Sequence, residues 1–581
     1  MLVPEGFAEL RAGRCDLAAG IERRAVDLEV SRAGREGLPG FGGEGFDRDG
    51  RELVAVAKGK VCDEGERTAA RLVGLGGECR GEQARQIDRI DRRARTFLIQ
   101  QGCLLEIMKG WYFLVPPHAP RGETALWHGN FWAFLGLYLE DRVGNDYCLS
   151  PEISLDLQSG ETATPVQATA ILARGGNNTV TLRLAETNIS CSLLTYSGKL
   201  PAQRSTYRGL NLMPVGYALA RVSPACFRTN RPQAEVLLRT TSAAELASGI
   251  IEADNEAGSM RILGGLETLG FKEKADQVRG LIALTGWKKA TNPFPDAEPL
   301  LPGRLIPKSP YSDRIRLLWE QMRPMVLEHF PAAPGKADAK SYLDKAHHLY
   351  QYDAYHSLSI EGFQVTPELV ARIAAGNDPD DPSSREENNR LAAKGYSMAH
   401  EAVLRSIGKI FNGEPSGKTV EADLPYWYSE LHKPFVQVGR LSAGDVAGYR
   451  EKPVYIRGSS HVPPAPGLGV IDGMEAFYEA LSSEPEASVR AILGHFLFVY
   501  IHPFSDGNGR IGRFLMNTML ASGGYPWTIL RVTRRQAYMD ALEEASVARN
   551  IIPFTKFVGA EMAVDWSPEL AEAERLNRKP S

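Results

Sequence analysis

Between Ile501 and Arg513 the chain reads IHPFSDGNGRIGR, and nearly every residue type there has a use in binding an anion and moving a proton. Gly507 and Gly509 let backbone N–H groups turn into one concavity, and the positive end of a following helix makes that concavity an anion cradle. Arg510 and Arg513 stand three apart, on neighbouring faces of such a helix. Cations in a helix's first turn oppose its dipole by roughly 0.3–1 kcal/mol each, so their placement calls for an anion nearby. Asp506 beside a phosphate cradle suits Mg²⁺, whose remaining ligands would be phosphate oxygens and water. His502, expected to be held extended by Pro503, is the candidate general base, and Phe504 anchors the loop in the core. Singly, His502 reads as a core histidine and Asp506–Gly509 as an ordinary turn. Jointly, the pattern His-x-Phe-x-[Asp/Glu]-Gly-Asn-Gly-Arg-x-x-Arg has a chance occurrence on the order of 10⁻⁷ at average residue usage.

Two apolar runs of helical period position this segment, SVRAILGHFLFVYI before it and IGRFLMNTML after it. The loop therefore joins two buried helices, with Asp506–Gly509 at the start of the second. These residues resemble the signature of the Fic family at every specified position, and the resemblance extends over the helical region of about 311–564. It implies an all-α domain that transfers AMP from ATP to a Ser, Thr or Tyr hydroxyl of a target protein. By that resemblance His502 deprotonates the hydroxyl and Asp506 holds Mg²⁺. Gly507, Asn508 and Gly509 cradle the phosphates through backbone N–H groups, while Arg510 and Arg513 bind the charged tail. Tyr538, in RRQAYMDAL, is assigned to the adenine.

Two further elements fit the same resemblance. Residues 450–464 form a short β-type run with a Gly-Ser turn and a proline stop. Alone this is a surface hairpin; beside the signature it is similar to the family's flap, which holds the target backbone by strand addition, with Ile456, Gly458 and His461 as contacts. Upstream, AKSYLDKAHHLYQYDAYHSLSIEG has helical texture and stops at Gly362. Ser357 and Glu361 lie four apart on one face and fit the family's inhibitory pattern [S/T]-x-x-x-E-[G/N]. The resemblance pairs Glu361 with Arg513 in the place of ATP's terminal phosphate, which agrees with the need of Arg513 for an anion. His347 and His348, close to His356, lack a Cys or acidic cluster to complete a zinc set and read as helix-surface residues.

The rest of the chain sets the frame. Its 581 residues predict three to four domains. Hydrophobic residues at 43% and charged residues at 24% exclude wholesale disorder. A net charge of −4 advertises neither nucleic acid nor an anionic membrane across the whole surface. No apolar stretch approaches a membrane helix, and the first residues lack a secretory layout, so no membrane association and a cytoplasmic location are expected. Seven scattered cysteines without a C-x-x-C pair fit neither a disulfide framework nor a zinc site. The G-x-G-x-x-G match at Gly40–Gly45 follows no apolar strand and opens no helix, and is discounted.

The expected architecture is multidomain: a mainly α C-terminal Fic fold behind an N-terminal winged-helix-like plus α+β module. Residues 1–80, rich in Gly and Arg and poor in aromatics, read as a disordered extension. Residues 81–120 read as a winged-helix-like module, in which a helix ended by Gly102 precedes two strands joined across Lys109-Gly110. The arginines of 85–95 could meet phosphates of DNA or simply form a solvated helix face. Residues 121–230 carry short β-type runs (YCLSPEISLDLQSG, PVQATAILA, NTVTLRLA, ISCSLLTY) of an α+β regulator-like domain. This N-terminal stretch resembles the antitoxin-type transcriptional regulators of abortive-infection systems. A helical segment (231–290), a Pro-rich linker (291–310), the Fic domain with its inhibitory helix (311–564) and a tail (565–581) complete the chain. The expected partners are ATP with Mg²⁺, a hydroxyl-bearing target protein, DNA at the N-terminal module and a second copy in a homodimer. The competing readings are a DNA-binding regulator whose Fic half is a sensor, and the same fold using another phosphate donor.

Overall fold

The structure, a computed structural model, describes residues 125–568 apart from 162, 185–188, 288, 295–297, 302–307 and 377–383, together with residue 571; before 125 it describes 56–58, 60–61, 67–71, 86–91, 96–97, 99–100, 104–108 and 111–114. Most of the expected 1–80 extension, much of the Pro-rich linker and most of the tail lie outside the described residues, as do Gly40–Gly45. The chain divides into two compact units. One holds residues up to Ile153, Ala163–Met213 and Tyr455–Val462; the other holds Ser154–Thr162, Pro214–Val454 and the chain from Pro463.

In the first unit, β1 (Val56–Lys58), β2 (Lys60–Val61), β3 (Arg67–Arg71) and β4 (Gln86–Asp91) precede the expected pair β5 (Leu104–Met108) and β6 (Trp111–Leu114). The pair is antiparallel, and β1 adds to its far side. The Arg/Asp run differs from the helix face considered above. Gln86–Asp91 is extended and pairs with β3, Thr68 opposite Ile90 and Ala70 opposite Ile87, with a register shift between them. Next, α1 (Ala125–Val143) presents a ladder of aromatic residues, Trp127, Phe131, Phe134 and Tyr138, all at most 4% exposed. Trp111 meets Phe134 edge-on, their ring centroids 5.5 Å apart.

The first β-type run of 121–230 splits. Tyr147–Leu149 is β7, but Pro151 then opens α2 (Pro151–Gln158) at the position where a missing N–H costs nothing. The other runs form β8 (Gln167–Leu172), β9 (Asn178–Arg183) and β10 (Ser190–Ser197) in a four-stranded sheet ordered β7-β8-β10-β9. Only the β8–β10 pair is parallel. A hairpin, β11 (Ser205–Tyr207) and β12 (Leu210–Leu212), follows. The expected flap forms no strand. Residues 452–464 turn at Gly458, where φ is +75° and the Ser459 N–H donates to the Ile456 carbonyl at 3.1 Å. Pro453, Pro463 and Pro464 supply no N–H to a ladder. His461, which a surface hairpin would leave exposed, is 3% exposed. Tyr455 lies against α1, where a Cβ on Gly129 would meet its ring at 2.4 Å.

The second unit is helical throughout. Residues 214–281 form α3 (Val215–Arg221), α4 (Cys226–Thr229), α5 (Arg231–Thr240), α6 (Ala243–Ala253), α7 (Glu256–Thr268) and α8 (Lys272–Leu281). Then come α9 (Pro310–His329), α10 (Ala339–Ile360), α11 (Pro367–Ala374), α12 (Ser384–Phe411) and α13 (Ser416–Gln437). The C-terminal set is α14 (Leu468–Ser483), α15 (Ala487–Ile501), α16 (Asn508–Ser522), α17 (Arg535–Val547) and α18 (Ile552–Met562). One continuous apolar core runs from Ile315 in α9 to Val558 in α18. Its centre is α15, buried on nearly every side, as its all-round apolar sequence requires. The next helix, α16, is almost as deeply enclosed, so the loop between them hangs from two elements that cannot shift independently.

Candidate active site

Helix α15 ends at Ile501, and His502 caps it in the left-handed region, with φ 52° and ψ 60°. The extended conformation expected from Pro503 is not adopted; the clash that bars the right-handed helix is relieved by crossing to positive φ. Three bonds hold the residue there. Its N–H donates to the Phe498 carbonyl at 2.9 Å, its carbonyl accepts from Arg450 Nε at 2.7 Å, and its Nδ1 lies 3.1 Å from the Val499 carbonyl. A carbonyl only accepts, so Nδ1 carries the hydrogen and the neutral ring keeps its lone pair on Nε2. Burial lowers the His502 pKa to about 4; the Val499 bond opposes this and Arg450 adds to it. The ring is thus neutral near pH 7, in the tautomer a general base needs.

The loop then folds onto the core. The Phe504 ring stacks on Tyr428 of α13, with centroids 3.7 Å apart and planes at 5°. Asn508 clamps the backbone of Phe504 from both sides, its Oδ1 accepting from the N–H at 3.0 Å and its Nδ2 donating to the carbonyl at 2.8 Å. Its side chain therefore shapes the loop and leaves only its backbone N–H for a ligand. Gly507, at φ 80°, is the N-cap of α16, and no side chain caps that end. The N–H groups of Asn508, Gly509 and Arg510 begin the helix without intrahelical acceptors, which leaves the expected cradle open.

The two arginines divide as their spacing requires. Arg510 is 1% exposed; it donates through Nη2 to Asp506 Oδ2 at 2.7 Å and lies over the Phe363 ring. Among the described residues its buried Nε and Nη1 find no partner. Arg513, 3% exposed, donates through Nε to Ser357 Oγ at 2.8 Å and through Nη2 to both the Ser357 carbonyl (3.1 Å) and Glu361 Oε1 (2.6 Å). Its Nη1 likewise has no hydrogen-bond partner among the described residues. Burial disfavours the Arg513 charge, but Glu361, together with the Tyr538 and Tyr396 hydroxyls, outweighs that effect and raises its pKa. Burial likewise pushes the Asp506 carboxyl up, while Arg510, His432 and the Gly507 N–H hold it below the ordinary range.

Glu361 is the C-cap of α10, and its carboxylate reaches the mouth of the cradle. A Cβ built on Gly509 would lie 2.3 Å from Glu361 Oε1 and 3.2 Å from Arg513 Nη1. Ser357, Glu361 and Arg513 are thus brought together. Orphaned guanidinium N–H groups, an uncapped helix start and a carboxylate lodged beside them make a site for an anion larger than one carboxylate. Asp506, its side chain 63% exposed, faces outward at the same end. Among the described residues no cluster of three or more His, Cys, Asp or Glu could hold a metal by itself. A cation here would therefore depend on Asp506 together with ligand oxygens, as Mg²⁺ on a phosphate does.

Tyr538 is brought near but not into the open. It is 2% exposed, its hydroxyl lies 2.8 Å from His495 Nε2, and its ring packs on Phe554 and Phe557. It borders Arg513 from the core side and presents no free face to a base. Ile456, Gly458 and His461 belong to the other compact unit. His347 is a surface residue, as expected, 3.5 Å from Glu401. Residues without a role in the sequence reading also shape the site: Arg450, which fixes His502; Phe363 beneath Arg510; and His432, whose Nε2 would lie 2.8 Å from a Cβ on Gly507. A faint signal existed for His432 alone, a polar ring on the otherwise apolar Trp427–Tyr428–Leu431 face of α13.

Residues 424–520 match the Fic/DOC family model. They include α13 from Leu424, α14, α15, the loop and most of α16. Among curated proteins, "Protein adenylyltransferase Fic" of Drosophila willistoni is 33% identical over 227 residues, 38% of this chain and 42% of that protein. The protein of the same name from Drosophila mojavensis is 31% identical over 254 residues, 42% of this chain and 47% of its own. The chain thus spans less than half the length of these relatives. Among solved structures, Fic-1 (aa134–508) from C. elegans aligns with 61% of this chain and 95% of its own, at 16% identity and a TM-score of 0.32.

Proposed function

We propose that this protein is an adenylyltransferase that moves AMP from ATP to a hydroxyl of a target protein and is held inactive by Glu361. The observation that carries the reading is the Glu361 carboxylate bonded to Arg513 over Gly509, an anion seated where a triphosphate's end would otherwise lie. The α16 N–H groups and Arg510 bind the inner phosphates, and Arg513 takes the terminal phosphate once Glu361 withdraws. Asp506 would hold Mg²⁺, which when bound neutralises phosphate charge. His502 accepts the target's Ser, Thr or Tyr hydroxyl proton at Nε2 while that oxygen bonds the α-phosphorus. The bond from the α-phosphorus to the bridging oxygen breaks, and pyrophosphate leaves. The names of the relatives, matched over less than half their length, support the same donor and reaction.

The test is transfer of label from α-³²P-ATP to protein. Glu361→Gly should raise incorporation strongly over the parent chain, and His502→Ala in the Glu361→Gly background should abolish it. Equal labelling by the histidine variant removes His502 as the base, and no gain from the glycine variant removes the brake. Mass spectrometry of the labelled protein should show an added adenylyl group; an added phosphate would favour the other-donor reading.

A further inference from the structure

Helix α10 carries Asp353, Ser357 and Glu361 at successive intervals of four, on one face. Glu361 reaches Arg513 from the rim. A second path reaches the same guanidinium from within the core. Arg513 Nε–H donates to Ser357 Oγ at 2.8 Å, Ser357 and Arg513 both act on the neighbouring Tyr396 hydroxyl, and the Tyr396 O–H donates to Asp353 Oδ2 at 2.7 Å. A guanidinium can only donate and a carboxylate can only accept, so Ser357 Oγ is an acceptor at the Arg513 end and the Tyr396 hydroxyl gives its hydrogen to Asp353 at the other. The relay is sealed: Asp353 is 4% exposed, Ser357 2%, Tyr396 0% and Arg513 3%. The Tyr396 ring is further pinned against Phe514 of α16, centroids 4.7 Å apart, one residue beyond Arg513.

The two carboxylates differ in permanence. The Glu361 side chain is 30% exposed at a helix end and has water to swing into. Asp353 sits mid-helix with no such exit. We infer that Asp353 is a positioning residue for Arg513, the resident carboxylate that, through Tyr396 and Ser357, keeps the guanidinium anchored and aimed at the cradle after Glu361 has been displaced by a nucleotide's terminal phosphate. This rests on the proposed function and deepens it. Burial lifts the Asp353 pKa to about 6, with the Tyr396 hydroxyl drawing it back, so the group is ionised at neutral pH. Because that value lies above the ordinary 3.8, holding Asp353 ionised costs stability as pH rises. A buried charge kept at that cost needs a use other than stability.

The test uses the full chain carrying Glu361→Gly, with Asp353→Asn and Tyr396→Phe added separately. Binding of Mg·ATP and Mg·ADP is measured by calorimetry, alongside KM for ATP and kcat for adenylyl transfer at pH 7.5. Asn can still accept from Tyr396 and fills the same volume, so the melting temperature should stay at or above that of the Glu361→Gly parent. Either addition should weaken ATP about tenfold, a loss of one charge-assisted contact, and leave ADP within twofold. KM for ATP should rise with kcat within twofold. Unchanged ATP binding by a folded derivative, or equal weakening of ATP and ADP, overturns the inference while leaving the proposed function standing. If Asp353→Asn does not fold, Tyr396→Phe carries the same comparison. Should the Glu361→Gly parent itself bind no nucleotide, the proposed function fails first and this inference falls with it.

Discussion

Replacing Glu361 by glycine perturbs one contact whose weight can be worked from the structure. The carboxylate meets Arg513 at 2.6 Å, with the arginine side chain 4% exposed and the glutamate side chain 30% exposed. A hydrogen bond to a charged group contributes about 1.5–3 kcal/mol net, and partial solvent access keeps it from the upper end of what low dielectric allows. On the proposed reading a nucleotide binding the intact protein must first break that contact, so its apparent affinity is lowered by about 1.5–2.5 kcal/mol, or about 10- to 70-fold. Glu361→Gly should recover that factor in Mg·ATP affinity measured by titration calorimetry. Glu361→Gln, which keeps the volume and loses the charge, should recover about tenfold. The fold should tolerate the change, because Glu361 is the C-cap of α10. An anion at that negative helix end costs roughly 0.3–1 kcal/mol, which offsets part of the lost ion pair. The melting temperature should therefore move by only a few degrees. An affinity within threefold of the parent in a folded glycine variant would refute the reasoning, since the carboxylate would then not compete for the nucleotide's position.

Three further outcomes follow from the same geometry. The kcat/KM of the Glu361→Gly enzyme should hold from neutral pH through the usual histidine range and fall only as pH drops toward about 4, where protonation of His502 removes the Nε2 lone pair; loss of Glu361, which raises that pKa, moves the limb lower still, and a limb centred near 6.5 contradicts the assignment. Asn508→Ala removes both bonds to the Phe504 backbone and should cost about 2–4 kcal/mol in denaturant unfolding, since two backbone groups lose their partners; a cost under about 1 kcal/mol would mean water replaces them. Gly509→Ala places a methyl 3.2 Å from Arg513 Nη1 and in the mouth of the cradle, so in the Glu361→Gly background, where no carboxylate competes, Mg·ATP affinity should still fall about tenfold, and unchanged affinity would place the phosphates elsewhere.

What could be read from the sequence was whatever its local order determines. The loop, the helices on either side and the four-residue step from Ser357 to Glu361 follow from adjacent residue types, and the structure holds them as read. The misreadings fall where a residue's conformation depends on distant partners. His502 crosses to positive φ because Arg450, Val499 and Phe498 hold it there, and nothing adjacent to it announces Arg450. Residues 452–464 have a strand's composition but pair with no strand, and Gln86–Asp91 has a helix-compatible charge pattern but finds β3. Tyr538 has the right helix for a ligand contact and the wrong face.

Arg513 shows where local order stops being informative. A cation in the first turn of a buried helix demands an anion, and that much is visible from α16 alone. Which anion, and how many, is set by α10 and α12 packing against that turn, elements that lie more than a hundred residues earlier in the chain. They deliver two carboxylates of unlike exposure, one at the rim and one buried beyond Ser357 and Tyr396. A guanidinium held only by the rim carboxylate would lose its sole anionic anchor whenever that group swung away, and would then have to be ordered again by each incoming phosphate. With a second anchor of the kind inferred for Asp353, removal of the first would change what occupies the cradle without loosening the cradle itself, and that is the arrangement the proposed reversible brake requires.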